Sequence, residues 1–309
     1  MDIANKTILV TGGAGFIGSH MVDALIERGA RVIVIDDLST GKEQNVNPRA
    51  HLYRMNVADP AVVEVMEKER PEIIYHLAWF VLVPKSVADP LLDMAAVTGT
   101  LRIVQKAKEI GVRKIIFGSS CFVYGNTTKL PAAEMDPVQL ITPYAIAKFS
   151  VEQYLSFYYK MYRLPFVVLR YAAVYGPRQV TGAMADYVRC LVRGEQAEIW
   201  GDGTKTRDYV YIDDVVKANL CALDLPDDFS DPVFNINTGI ETPLNELYQK
   251  IAHLVGKEGH PVYRPDRGAE QIRYALDNTK ARNQLHWEPT VGLEEGLKKR
   301  VDYYLQYGQ

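Results

Sequence analysis

Two residues one helical turn apart, Tyr144 and Lys148 in "TPYAIAKFSVEQYL", are of the right types to move a proton. At a spacing of four they share one face of a helix. A phenol is a poor base at its free pKa of ~10. A nearby ammonium stabilises phenolate, so such a pair can exchange a proton with an alcohol near neutrality. Ser119 or Ser120, in "KIIFGSSCFVYG", would stand at the carboxyl end of a parallel strand and could hydrogen-bond the same oxygen. Tyr and Lys at this spacing are also common on any solvated helix, so the pair needs support from elsewhere in the chain.

That support is the stretch "ILVTGGAGFIGSHMVDALIERGARVIVIDD". Gly12, Gly15 and Gly18 read as GxxGxxG, and Gly13, Gly15 and Gly18 also fit GxGxxG. A strand precedes them, a helix follows, and Asp36 ends the next strand. Dinucleotide binding requires this order: a tight turn, close backbone approach to pyrophosphate, and a helix N-terminus facing the phosphates. Asp36 would accept hydrogen bonds from the adenosine ribose and repel a 2′-phosphate, which favours NAD over NADP.

The elements that must carry these groups are visible as texture. Short β-branched runs, "TILVTG", "RVIVID", "EIIYHLA", "KIIFGSS" and "FVVLRYA", alternate with helical-period segments at 19–28, 61–69, 100–110 and 146–161. Strands apolar on both faces and separated by helices indicate a doubly wound parallel sheet of the Rossmann type. The pattern is regular through residues 1–173. Residues 174–309 are loop-rich and read as a second, smaller α/β substrate lobe. The boundary is soft, because "RDYVYIDD" and "VFNIN" could return strands to the first lobe near 208–240.

Composition excludes several classes. A net charge of −3 gives no electrostatic footprint for nucleic acid. The opening "MDIANKTILVTGG" has neither a basic n-region nor a long apolar run, so no signal peptide or membrane span is expected. Three cysteines, Cys121, Cys190 and Cys221, without CxxC spacing read as reduced thiols of a cytoplasmic protein. The six histidines form no ligand pattern, so no metal is expected.

The fingerprint, Ser120, "YAIAK", "LRYAAVYGPR", "GDGTKTRDYVYIDD" and "FNINTG" resemble, in order and spacing, the extended short-chain dehydrogenase/reductase family. Within it the UDP-glucose (UDP-galactose) 4-epimerase group is the most similar, over essentially the whole chain. The resemblance implies Tyr144 as base, Lys148 as its tuner and ligand of the nicotinamide ribose, and Ser120 on the reacting hydroxyl. It implies that Gly12, Gly15, Phe16, Ile17, Gly18, Asp36, Asp37, Leu38, Ser39 and Gly41 hold the phosphates and adenosine of NAD. Asn56 and Val57 would stand beside the adenine, and Leu77, Ala78 and Tyr171 would line the cofactor. Lys85, Phe122, Ala173, Trp200, Arg207 and Arg267 would face a UDP-sugar. Of these, Trp200 matches an aromatic packing on uracil, and both arginines match groups that grip the diphosphate. The implied activity is NAD-dependent 4-epimerisation: proton abstraction by tyrosine, hydride transfer, rotation of a 4-keto intermediate and hydride return. A homodimer built on helices at 101–110 and 147–161 is implied as well.

Dehydratases of this family carry an acidic residue just after the strand-end serine or threonine, where this chain has Cys121 and Phe122. That counts against water elimination and against decarboxylation. Other departures are apolar. Trp79, Phe80 and Leu82 replace small and polar residues in "HLAWFVLVPKSV", while Ala96 and Ala173 stand where asparagines are usual. Three readings of the loop remain open: packing against Phe122 and the second lobe, a pocket reshaped for a bulkier or less hydroxylated substrate, or a partner or lid surface. The reshaped pocket would favour a related oxidoreductase or epimerase acting on a UDP-uronic acid, a UDP-N-acetylhexosamine, a free sugar or another alcohol.

Overall fold

The computed structural model describes residues 1–79, 83–127, 129–257, 259–266, 272–273 and 275–308. In chain order the elements are β1 (Thr7–Thr11), α1 (Phe16–Glu27), β2 (Arg31–Asp36), β3 (His51–Arg54), α2 (Val62–Glu69), β4 (Ile73–His76), α3 (Val83–Ala88), α4 (Leu91–Ile110), β5 (Lys114–Ser120), α5 (Pro143–Tyr162), β6 (Phe166–Tyr171) and β7 (Ala173–Tyr175). Then follow α6 (Ala183–Arg193), β8 (Glu198–Trp200), β9 (Thr206–Tyr211), α7 (Ile212–Asp224), β10 (Val233–Ile236), β11 (Glu241–Pro243), α8 (Leu244–Val255), β12 (Val262–Arg264), α9 (Thr279–Gln284) and α10 (Leu293–Tyr307). The chain divides into two compact units: Met1–Val123, Leu140–Arg170 and Val216–Phe234 in the first, and Tyr124–Gln139, Tyr171–Val215 and Asn235–Gln309 in the second.

A seven-stranded sheet runs in the order β10-β6-β5-β4-β1-β2-β3. β1 pairs in parallel with β2 and with β4, placing Thr11 opposite His76. Residues 8–10, 32–35, 73–75, 115–117 and 167–169 are 1% exposed or less, so these strands are covered on both faces, as parallel sheets require. The chain winds outward through β1, β2 and β3, then restarts at β4 on the other side of β1. That reversal is the topological switch point, where the carboxyl ends of strands open a crevice for ligands.

Two helices begin earlier than their apolar periodicity predicts. α4 starts at Leu91, behind Pro90 and with Asp93 in its first turn. Gly99 lies within it because a Cβ there would stand 2.5 Å from the Val57 carbonyl oxygen; the glycine permits close packing instead of breaking the helix. α5 starts at Pro143, and the Thr142 hydroxyl accepts a 3.1 Å bond from the Ala145 N–H as its cap. Tyr144 therefore lies in the first turn of α5, with Lys148 one turn on.

In the second unit, "RDYVYIDD" supplies β9 to a three-stranded sheet ordered β11-β9-β7, whereas "VFNI" forms β10 beside β6 in the large sheet. Asp208 explains why "TRDY" and "NINTG" occur together. Its fully buried carboxylate accepts bonds from the Thr238 N–H (2.9 Å), the Thr238 hydroxyl (2.7 Å), the Gly239 N–H (2.8 Å) and Asn237 Nδ2 (3.1 Å). Asp214 does the same for the C-terminal part, accepting from the Thr290 N–H and hydroxyl and the Val291 N–H. Both motifs are structural clasps.

Candidate active site

The site begins with backbone. Gly12 adopts φ +73°, and a Cβ there would stand 2.7 Å from the Ala78 backbone nitrogen, so the turn after β1 presses on the turn after β4. At Gly18 a Cβ would collide with the Gly12 carbonyl oxygen, which locks α1 against the same turn. Gly15 is the N-cap of α1, with no side-chain cap for the first turn, where Phe16 and Ile17 follow. The positive end of that helix is thus dressed for an external anion.

Asp36 ends β2 and accepts 2.9 Å bonds from the Ala14 and Leu38 N–H groups. Burial pushes its carboxyl up, and the backbone bonds from Leu38 and Ala14 oppose the rise. For Asp37 burial also acts upward. Bonds from Ser39 and from Asn56 Nδ2 (2.6 Å) outweigh it and hold the group below the usual carboxylate range. Gly41 lies on the same loop, and Val57, next to Asn56, is buried. A turn too tight for a side chain, an uncapped helix start and an acidic strand end fit a dinucleotide with free 2′- and 3′-hydroxyls.

His76 ends β4, which lies between β1 and β5 in the sheet. Its Nδ1 lies 2.7 Å from the Thr11 hydroxyl and its Nε2 2.8 Å from the Thr100 hydroxyl. Thr100 donates its proton to the Ala96 carbonyl, so it accepts from Nε2–H. Thr11, which accepts from the Leu77 and Ala78 N–H groups, donates to Nδ1. Burial, with the charge of Lys148 nearby, pushes the imidazole down to about 3. His76 is a neutral brace joining β1, β4 and α4.

The two serines separate. Ser119 donates to Glu152 Oε1, which also receives Arg170 Nε at 3.1 Å, while Arg170 Nη2 reaches Glu152 Oε2 at 2.6 Å. All three are buried. Ser120 instead accepts the Phe122 N–H at 3.2 Å and hydrogen-bonds Tyr144. Burial pushes the Tyr144 phenol up, and the Ser120 bond is what counteracts it. Lys148 Nζ donates 2.7 Å to the Gly118 carbonyl and stands 5.9 Å from the Tyr144 ring centre. Burial brings this amine down to about 7, opposed by the charges of Asp93 and Glu152. The sequence left Ser119 and Ser120 open beside Lys148; in this arrangement Ser120 is the serine at Tyr144, and burial brings the Lys148 amine close to neutrality.

The apolar loop has an answer at its first residue. Trp79 leaves the carboxyl end of β4 beside β5, so its ring meets Phe117 edge-on at 6.1 Å and covers Lys148 Nζ at 4.1 Å from the ring centre. Phe122, the packing partner expected from sequence, stacks edge-on with Tyr144 at 5.7 Å. Phe80 and Leu82 lie outside the described residues, as does Arg267. Lys85 is exposed on α3. Tyr171 is buried at the end of β6, and Ala173 is half-buried in β7 opposite Tyr209. In the second unit, Trp200 ends β8, and Arg207 in β9 donates 2.7 Å to the Thr206 carbonyl.

Sequence reasoning passed over Asp93, His76, Glu152 and Arg170. Glu152 had a signal, an acid one turn beyond Lys148 on its own helix face. Asp93 had a weaker one, a carboxylate on the buried side of an apolar helix.

Fold and site together define an extended short-chain dehydrogenase/reductase. The chain belongs to the NAD dependent epimerase/dehydratase family, whose profile matches residues 8–237. It is 38% identical over 317 residues to a UDP-glucose 4-epimerase from Mycolicibacterium smegmatis, covering 97% of this chain and 99% of that one. The crystal structure of a Thermotoga maritima UDP-glucose 4-epimerase with UDP-glucose superposes with a TM-score of 0.94 at 43% identity, covering 98% of this chain and 100% of the other. A Thermus thermophilus UDP-glucose 4-epimerase in complex with NAD gives a TM-score of 0.91 at 34% identity, over 97% and 99%. Among the described residues no helix is long and apolar enough to cross a membrane.

Proposed function

We propose that the chain is an NAD-dependent 4-epimerase of UDP-glucose and UDP-galactose. The observation that carries this reading is Ser120 hydrogen-bonded to Tyr144 at the end of β5, with Lys148 one turn along α5 and no carboxylate at 121 or 122. Simple redox at one carbinol is the chemistry such a set supports. Tyr144 takes the proton of the sugar hydroxyl, Ser120 holds that oxygen, and Lys148 supplies the positive charge that favours phenolate. NAD bound there would supply a reversible hydride acceptor for the sugar carbon. Gly12, Gly15, Phe16, Ile17 and Gly18 hold its phosphates, and Asp36, Asp37, Leu38, Ser39, Gly41, Asn56 and Val57 its adenosine. Leu77, Ala78 and Tyr171 line it. Trp200, Arg207 and Arg267 hold the uridine diphosphate, with Lys85, Phe122 and Ala173 nearer the sugar. A firmly held nucleotide leaves the sugar free to turn once its carbon is a ketone.

Incubation with UDP-glucose or UDP-galactose at high protein loading tests this. Interconversion is expected, and its absence would overturn the substrate assignment. Ala173, Ala96 and the Phe122 ring against Tyr144 favour a second reading, a relative acting on a UDP-sugar with another substituent. Turnover of a UDP-uronic acid or a UDP-N-acetylhexosamine in place of UDP-galactose would select it.

We also propose a cytoplasmic homodimer. Ile103, Val104 and Ala107, within the stretch expected at the interface, are buried in the core of their own unit. Exposed apolar and aromatic residues on these helices are Leu91, Leu92 and Met94 on α4 and Ile146, Tyr154, Phe157, Met161 and Tyr162 on α5. A monomer mass in light scattering would dispose of the dimer.

A further inference from the structure

Trp79 occupies a place where its two chemical faces are both used. Its indole Nε1–H donates 3.2 Å to Asp93 Oδ1, and Asp93 Oδ2 accepts a 2.5 Å bond from the Ser86 hydroxyl. Asp93 and Ser86 are 1% exposed or less, so this carboxylate is fixed from both sides. The π face of the same indole lies 4.1 Å from Lys148 Nζ. An ammonium over an aromatic face is attracted by the ring quadrupole, and more strongly where water is excluded. The Phe117 ring is also within 4.7 Å of Nζ. Lys148 is therefore held at the Gly118 carbonyl by one hydrogen bond and under the Trp79 and Phe117 rings, with the Tyr144 ring centre farther off at 5.9 Å; of the two near rings Trp79 alone is anchored by a charge.

We propose that Trp79, aimed by Asp93 and Ser86, is a positioning residue that keeps Lys148 in its ammonium form beside Tyr144. This deepens the epimerase reading, since it concerns the lysine of that same site. The charged and titratable groups facing Lys148 are known from each packed element. α4 gives Asp93, and β4 gives the neutral His76. α5 gives Tyr144 and Glu152, the latter paired with Arg170 of β6, and β5 gives the Gly118 carbonyl and the Phe117 ring. Asp93 and Glu152 favour the charged amine while burial disfavours it. A desolvated cation–π contact is enough to move that balance. By sign, the contact stabilises the protonated form, so weakening it lowers the pH at which Lys148 loses its proton.

The test titrates Lys148 itself. Heteronuclear NMR of the full chain carrying 13Cε-labelled lysine, with the Lys148 signal assigned by its loss in Lys148→Arg, gives the midpoint across pH without any substrate. Trp79→Leu should lower that midpoint by about one pH unit. Trp79→Phe, which keeps a π face, should lower it by less. Should Trp79→Leu fold poorly, replacing all three tryptophans by mono- and difluorotryptophan keeps their shape and the bond to Asp93. The midpoint should then fall stepwise with fluorination, which a purely structural role would not produce. A midpoint unmoved by fluorination, or by Trp79→Leu in a folded chain, overturns the inference. The alkaline limb of the UDP-sugar pH profile should follow the same order. A shifted Lys148 midpoint in a chain that interconverts no UDP-sugar would overturn the epimerase reading and leave this inference standing.

Discussion

The end of the first unit proposed for the cofactor phosphates and the end proposed for the reaction are held by different means. At the phosphate end the fixing is done by backbone: a positive-φ glycine against Ala78, a glycine against a carbonyl, and Asp36 tying Ala14 to Leu38. At the reaction end it is done by side chains from α4, α5, β4, β5 and β6, joined through Asp93, Glu152, Arg170 and Trp79. A backbone site depends on a few neighbouring residues and tolerates little substitution. A side-chain site depends on residues far apart in sequence, and each can be retuned singly.

Tyr144→Phe should give the largest effect and separate the two ends. UDP-sugar interconversion is expected to fall by about 10³-fold, in the range typical of a lost general base. Dinucleotide bound after purification, measured by absorbance after denaturation, should be unchanged. Gly18→Ala should act at the other end, abolishing dinucleotide binding, and interconversion with it, through the collision with the Gly12 carbonyl. If Tyr144→Phe also emptied the protein of dinucleotide, the two ends would not be independent.

Arg170→Met comes next and probes the side-chain end alone. It leaves Glu152 buried without its cation, which typically costs about 3–5 kcal/mol. A denaturant midpoint that barely moved would show that the Glu152–Arg170 pair is not what holds α5 to β6.

His76 bridges the two ends, and its effect is a slope. Folding lowers its pKa from 6.5 to about 3. The unfolded chain therefore gains a proton as pH falls through about 6.5, while the folded chain does not until about 3. Stability from this group is full above that window and declines within it by about 1.4 kcal/mol per pH unit. His76→Asn should remove that share of the slope between pH 6 and 5, as followed by urea unfolding. An unchanged slope would mean that the imidazole is already charged in the fold.

The two ends also differ in how far they can be read from sequence. Glycine spacing, the strand before it and Asp36 after it are local, so the phosphate end and the doubly wound sheet are legible in "ILVTGGAGFIGSH" and "RVIVID". Tyr144 and Lys148 are legible because one helix turn relates them. The choice between Ser119 and Ser120 is not, because it turns on Glu152 lying across from β5 and taking the first serine. Trp79 as a cover for Lys148 is equally hidden: 69 residues separate the two, and the packing of α5 on β5, the neighbour of β4, brings them together. The early start of α4 was hidden for a local reason, since Gly99 resembles a helix breaker until Val57 is seen pressed against it.

The smallest expected effect asks whether the reaction end also has a local, backbone-like component. Thr142 caps α5 through its hydroxyl on the Ala145 N–H, immediately before Tyr144. Thr142→Ala leaves that N–H without its partner and should cost about 1 kcal/mol of stability. Because Pro143 fixes the first helical residue in a helical φ, the helix should still start in place. Activity should then change less than twofold. A larger loss of interconversion at unchanged stability would mean that the first turn of α5 frays without its cap and that the orientation of Tyr144 depends on it. The reaction end would then rest on the same short-range backbone fixing as the glycine turn, and the contrast between the two ends would narrow to the anchoring of Lys148.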